Sequence, residues 1–243
     1  MEGDYFRRAT AEFVGTFALI FIGAGSVIYG NIIGVAFAHG LVIAVMVSSV
    51  GHISGGHFNP AITLGFVVTR RMGLALAIPY WIVQFGGATV AALVLKWVLP
   101  SAAVSGTHLG VPALQNGVNS GEGVVIEAIL TFFLVWAVFA TAADPRGAFK
   151  QIAGLAIGLT ITFDILMGGG LTGAAMNPAR AFGPELVDNY WPNWWIYYVG
   201  PFAGAVIAAV IYEVLYLRPP RPLPVGPPES GLEEPAPGEA ALE

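Results

Sequence analysis

Six long apolar runs, near 9–29, 33–51, 74–98, 122–143, 151–170 and 194–217, divide the chain. Each approaches the roughly 20 residues a helix needs to cross a bilayer, so the pattern predicts six membrane-spanning helices. Two stretches depart from it. Residues 52–73 and 171–193 are too apolar for ordinary loops, and their helical parts, near 59–69 and 177–187, are too short to cross. Each holds an Asn-Pro-Ala after a Gly-rich run: Asn59-Pro60-Ala61 and Asn177-Pro178-Ala179. Asn is a favoured helix N-cap, and Pro is favoured at the first helical position, where its missing N–H costs nothing. Both motifs therefore mark helix starts at mid-membrane, where irregular backbone is tolerated only if it is buried in protein or lines a water-filled cavity. They are predicted to be re-entrant half-helices dipping in from opposite sides.

The two halves of the chain resemble each other. Ala11-Glu12-Phe13-Val14-Gly15-Thr16-Phe17 answers Glu127-Ala128-Ile129-Leu130-Thr131-Phe132, with Glu12 and Glu127 offset by 115 residues and Asn59 and Asn177 by 118. Three spans per half force the second copy to enter the membrane inverted relative to the first. The expected organisation is an all-α membrane domain over 1–217, with repeat one at about 9–98 and repeat two at about 122–217. Gly154 with Gly158, and Gly200 with Gly204, have the spacing that lets helices pack closely.

Only 10% of the 243 residues are charged and 56% are hydrophobic, against roughly a quarter charged in soluble domains. The net charge of −5 comes largely from the segment 218–243. That segment is Pro-rich and acidic, a composition that cannot build a core, and is expected to be a disordered cytoplasmic tail. A near-neutral remainder argues against nucleic-acid partners. The absence of Cys excludes disulfides, thiol catalysis and thiolate metal sites. The first apolar run is too long for a signal-peptide core and has no convincing cleavage site. Arg7 and Arg8, Arg70 and Arg71, Arg146 and Lys150, and Arg218 and Arg221 all fall on one side if both termini are cytoplasmic, and the loops 99–121 and 188–193 carry no Lys or Arg. Lys96 is expected to snorkel. With no eukaryotic targeting signal evident, the default host is a plasma membrane.

Taken together, Gly51-His52-Ile53-Ser54-Gly55-Gly56-His57-Phe58-Asn59-Pro60-Ala61 and Asn177-Pro178-Ala179-Arg180 with Phe182-Gly183-Pro184 make the chain resemble an aquaporin, of the major intrinsic protein family, over roughly residues 5–217. The resemblance implies two half-helices meeting head to head at the bilayer centre, one pore per subunit, a homotetramer in the lipid bilayer, and passage of water and small neutral solutes, with no cofactor and no enzymatic activity. Two opposed helix N-termini each carry about half a positive charge. They repel cations and hydronium, and the Asn59 and Asn177 amides, with oxygens busy capping, are expected to donate to passing water. The approaches Gly55, Gly56 and His57, and Gly173, Ala174 and Ala175, are expected to turn bare carbonyls toward the pore.

Arg180 occupies the third helical position after its cap, where a cation opposes the helix dipole, at a depth where charge is expensive. By its match to the family motif it is the cation-excluding residue of the outer constriction; the alternative is a surface pair with Asp188. The family's spacing assigns His39, Ile165 and Ala174 to the other constriction positions. This set resembles plant vacuolar-membrane aquaporins and their ammonia-permeable relatives rather than the usual water-selective set, which implies a wider, less polar opening and adds ammonia and hydrogen peroxide as candidate solutes. A glycerol or urea facilitator is the alternative, disfavoured by Ala181 after the second motif. Glu12 and Glu127 are expected to accept loop N–H groups. Asp164, with no family counterpart, is expected in the outer vestibule or paired with His39, and His108 in an extended outer filter. An intramembrane hydrolase would rest on His39, His52, His57 and Asp164, which lack metal-ligand spacing, so no metal is expected. A proton-coupled transporter would use Glu12, Glu127 or Asp164.

Overall fold

The computed structural model describes residues 2–146 and 150–218; the acidic segment read as a tail therefore lies outside the described residues beyond Arg218. The described chain is helical and contains no strand. Helix α1 runs over Glu2–Ala18 and continues through a π-helical turn, Leu19–Ala24, into Gly25–Val27. Helix α2 is Ile32–Ser54, α3 is Pro60–Val68, α4 is Leu74–Val98, and a short α5, Ser101–Thr107, lies in the following loop. Helix α6 is Ser120–Val138 with a π-helical end at Phe139–Ala143, α7 is Ala153–Gly168, α8 is Pro178–Asp188, and α9 is Ile196–Tyr212 with a π-helical end at Glu213–Leu217.

Polar side chains cap the starts of two further helices. Asn31 caps α2 by accepting from Gly34 N at 2.9 Å. Asn119 and Glu122 form a reciprocal capping box at the start of α6, with distances of 3.0 and 2.9 Å. Five helical stretches, Asp4–Val27, Ile32–Ser54, Leu74–Val98, Ser120–Ala143 and Ile196–Leu217, are long and apolar enough to cross a membrane. The sixth apolar helix, Ala153–Gly168, has only 16 residues, about 24 Å at 1.5 Å per residue. A 3-10 turn at Lys150–Ile152 precedes it, and Gly168, Gly169 and Gly170 end it. Span one starts earlier than the apolar run at 9, because Asp4 and Arg8 pair along the helix at 2.9 Å and carry it through the polar segment. At most 44% of any long span is buried within the protein. Apolar residues such as Trp97, Ile82 and Leu215 face outward at 84%, 66% and 63% exposure, a surface made for lipid.

Packing follows the repeat. Helix α1 lies against α4 as α6 lies against α9, while α2 and α7 pair across the two halves. The half-helices are exchanged: α3 packs on α9, and α8 on α4. Small residues permit these approaches. A Cβ on Gly183 would meet the Ala88 backbone at 2.6 Å, and one on Gly65 would sit 3.2 Å from Ala209 Cβ. A Cβ on Gly158 would overlap the Gly40 carbonyl oxygen. Gly158→Leu should therefore force α2 and α7 apart and cost about 3 kcal/mol of stability. Thermal unfolding in detergent reads this as a lower midpoint; an unchanged midpoint contradicts the packing described.

Candidate functional site

The two Asn-Pro-Ala motifs are approached by two loops in the same backbone conformation. In the first, Gly55, Gly56 and Phe58 have φ of 96°, 65° and 48°; in the second, Gly173, Ala174 and Met176, each 118 residues on, have φ of 85°, 46° and 53°. Left-handed backbone costs roughly 1–2 kcal/mol at a non-Gly residue, so Phe58, Ala174 and Met176 are held there by their surroundings. Two buried carboxylates do much of the holding. Glu12 Oε1 accepts from Ser54 Oγ at 2.7 Å and His57 N at 2.9 Å, and Oε2 from Phe58 N at 2.6 Å and Gln84 Nε2 at 2.8 Å. Glu127 Oε1 accepts from Thr172 Oγ1 at 2.7 Å and Ala175 N at 2.9 Å, and Oε2 from Met176 N at 2.8 Å. Tyr80 Oη donates to the Ser54 carbonyl at 2.6 Å, and Tyr197 Oη to the Thr172 carbonyl at 2.8 Å.

The loops deliver two helix N-termini to one place. Asn59 Oδ1 accepts from Ala61 N at 2.8 Å, and Asn177 Oδ1 from Ala179 N at 3.0 Å and Arg180 N at 3.3 Å. Pro60 and Pro178 open the two helices. Each asparagine then reaches across the repeat boundary: Asn59 Nδ2 donates to the Met176 carbonyl and Asn177 Nδ2 to the Phe58 carbonyl, both at 2.9 Å. The amides are thus not wholly free, as the sequence reading had them. One N–H of each locks the half-helices together and one remains.

A narrow cavity of about 30 Å³ passes this junction. Polar side chains enter it from His39, His57, Asn59, Asn177 and Arg180, and the rest of the wall is mostly aliphatic, including Leu19, Ile43, Ile161 and Ile165. His39, Ile165, Ala174 and Arg180 all line it and are all less than 5% exposed. His39 Nδ1–H donates to the Val35 carbonyl at 2.9 Å, so a neutral ring presents Nε2 as an acceptor. Arg180 Nη1 donates to the Gly110 carbonyl at 2.7 Å. His39 Nε2 and Arg180 Nε have no partner among the described residues. His57 Nδ1 lies 2.9 Å from Thr63 Oγ1, and the ring borders a second cavity lined by His52, Gly55, Thr141 and Gln151.

The model of the major intrinsic protein family matches residues 2–212. The chain belongs to that family. It is 41% identical to Aquaporin TIP1-2 of Zea mays over 91% of both chains. It is 43% identical to Probable aquaporin TIP-type RB7-18C of Nicotiana tabacum over 90% of both, and 38% identical to Aquaporin-4 of Mus musculus over 87% of this chain and 68% of that one. The fold matches the aquaglyceroporin from Plasmodium falciparum with a TM-score of 0.78 at 22% identity, covering 87% of this chain and 96% of that one.

In this major intrinsic protein several expected placements need correction. Asp164 is not among the residues lining the central cavity and does not pair with His39; its Oδ2 is buried without a partner among the described residues. His108 lies within 2.8 Å of Asp188 and stacks on Tyr190 at 3.8 Å between ring centres. Asp188 is therefore taken by His108 and not by Arg180. Gly56, His57, Ala174 and Ala175 line the cavity, Gly55 borders only the second one, and Gly173 lies against Pro112 and Ala113 instead. Lys96 does not simply snorkel, since its Nζ caps the end of α8 by donating to the Val187 carbonyl at 2.8 Å.

The sequence reading did not find Ser54, Thr172, Tyr80, Gln84 or Gly110, and gave Tyr197 no such role. The repeat offset would have found most of them. A shift of 118 maps Ser54 onto Thr172, and 117 maps Tyr80 onto Tyr197. Gln84 maps onto Pro201, so the second repeat has no amide to answer it.

Proposed function

We propose that the chain is a passive water channel that excludes protons and ions, a membrane protein and not an enzyme, with 1–217 as the channel unit. The observation that carries this is the pair of unpartnered polar atoms in the filter: Arg180 Nε as donor and His39 Nε2 as acceptor, in an otherwise aliphatic bore. A small neutral molecule that both accepts and donates satisfies the two atoms at once, whereas an ion loses its hydration to an aliphatic wall. Deeper in, the remaining N–H of Asn59 and of Asn177 donate to the same passing water. They turn its hydrogens outward and break the hydrogen-bonded chain a proton would follow. The positive ends of α3 and α8 add an electrostatic barrier at that point. Names of the relatives support water as the solute.

His39, Ile165, Ala174 and Arg180 form the selectivity filter in this reading, Asn59 and Asn177 the central barrier, and Glu12 and Glu127 the loop anchors. The chain assembles as a homotetramer and sits in a plasma membrane with both termini cytoplasmic, the orientation the arginine distribution supports. Stopped-flow light scattering on proteoliposomes tests the function: the channel should shrink vesicles many times faster than bare lipid, without a pH transient. Rates equal to bare lipid would remove the reading, and an accompanying pH change would favour proton-coupled transport.

Ile165 supports a second solute. An aliphatic group where a further ring would narrow the filter leaves room and low polarity, which suits ammonia and hydrogen peroxide. Ile165→His should lower the ammonia rate about tenfold while water falls by less, measured by ammonium gradients in the same vesicles; parallel losses would remove ammonia as a solute.

A further inference from the structure

Away from the channel, a groove of about 1200 Å³ opens between the first turns of α1 and the end of α2. Arg7, Arg8 and His52 stand on its rim beside Asp4, and Phe6, Val14 and Ile53 form its apolar wall. Phe6 is 76% and Val14 44% exposed, so this wall continues onto the exposed apolar surface of the single chain. Arg8 Nε donates to Asp4 Oδ2 at 2.9 Å, which neutralises the groove's one acid within the groove. Arg7 takes part in none of the ion pairs among the described residues, so the rim keeps a net positive charge.

The repeat supplies a control. Positions 115 residues on from Asp4, Phe6 and Arg7 are Asn119, Gly121 and Glu122, and Leu171 lies 118 on from Ile53. These four residues line a groove of about 850 Å³ at the start of α6. The inversion places this second groove on the opposite membrane face. The helix seam is the same, but Glu122 stands where Arg7 does, and no cation lines it. Lipid tails would be accepted equally by either wall; headgroup charge would not.

We propose that the α1/α2 groove binds an anionic phospholipid, its phosphate on Arg7 and Arg8 and an acyl chain along Val14 and Ile53, and that the α6 groove does not. A juxtamembrane cation near a headgroup favours an anionic lipid about fivefold. The assignment to the cytoplasmic leaflet rests on the orientation proposed above, whereas the binding itself depends on neither orientation nor transport.

Native mass spectrometry of the full chain released from detergent micelles tests this, with phosphatidylglycerol and phosphatidylcholine of identical acyl chains as probes. The unaltered chain should retain phosphatidylglycerol about fivefold more tightly. Arg7→Gln should bring the two lipids close to parity. Val14→Trp, which fills the wall and leaves the charges, should weaken both. Glu122→Gln should leave the preference unchanged, and millimolar inorganic phosphate should not displace the lipid. Equal retention by the unaltered chain, an undiminished preference in Arg7→Gln, or displacement by free phosphate would each overturn the proposal. Water permeability of each variant in vesicles checks its fold, and if Arg7→Gln fails that check, the Val14→Trp result decides alone.

Discussion

Replacing Arg180 by Val should open the channel to solutes it otherwise rejects. Glycerol and urea rates are expected to rise about tenfold, which corresponds to about 1.4 kcal/mol off the barrier, while water flow is retained. Two effects add. In the proposed filter the cation that would repel other cations disappears, and a long side chain, 3% exposed and held by the Gly110 carbonyl, gives way to a short one. The hydrogen bond at 2.7 Å to that carbonyl fixes where the guanidinium stands. Arg180→Lys would keep the charge but lose the planar fork, so it should restore cation exclusion without restoring the size limit. Stopped-flow measurements with urea and glycerol gradients, and a salt-leak assay on the same vesicles, separate the two. Unchanged selectivity in Arg180→Val would show that the filter lies elsewhere.

The lengths of the apolar runs located five helices long enough to span and the shorter Ala153–Gly168, because a lipid-facing helix must be apolar nearly all round and that constraint leaves a mark at every position. They missed the π-helical turns at Leu19–Ala24, Phe139–Ala143 and Glu213–Leu217, since an apolar residue serves either helical geometry. The two half-helices were legible because Asn-Pro is a local device, a cap followed by a ring-locked φ. The crossing bonds from Asn59 to Met176 and from Asn177 to Phe58 were not, because they join residues 117 and 119 apart and no local rule foresees which carbonyl an amide will find. Asp164 shows the limit of spacing as a guide. Its depth marked it as a group of interest, but spacing did not foresee that its Oδ2 would be buried without a partner among the described residues.

Glu12→Leu should be the most damaging single change outside the bore itself. Four donors converge on that carboxylate: the Ser54 hydroxyl, the His57 and Phe58 backbone amides, and the Gln84 side chain. Removing it strands at least the two backbone amides, which have no rotamer with which to find another acceptor. Each buried donor left unpaired costs about 1–3 kcal/mol, so the loss approaches a large part of the 5–15 kcal/mol typical of a whole domain. The left-handed Phe58 is pinned by one of those amides, and Asn59 follows it directly, so the central barrier would lose its geometry with the loop. Glu12→Gln is not a mild replacement, because it turns an NH2 group toward partners that are themselves donors. Gln at this position should therefore destabilise measurably, and Leu more. The expected readout for Leu is a thermal midpoint in detergent many degrees lower, with water permeability lost at temperatures where the unaltered chain still conducts. Glu127→Leu strands three donors rather than four, and no amide corresponding to Gln84 approaches it. It should fall between Glu12→Leu and the unaltered chain, and an inverted order would mean that the two loops are not held by their carboxylates.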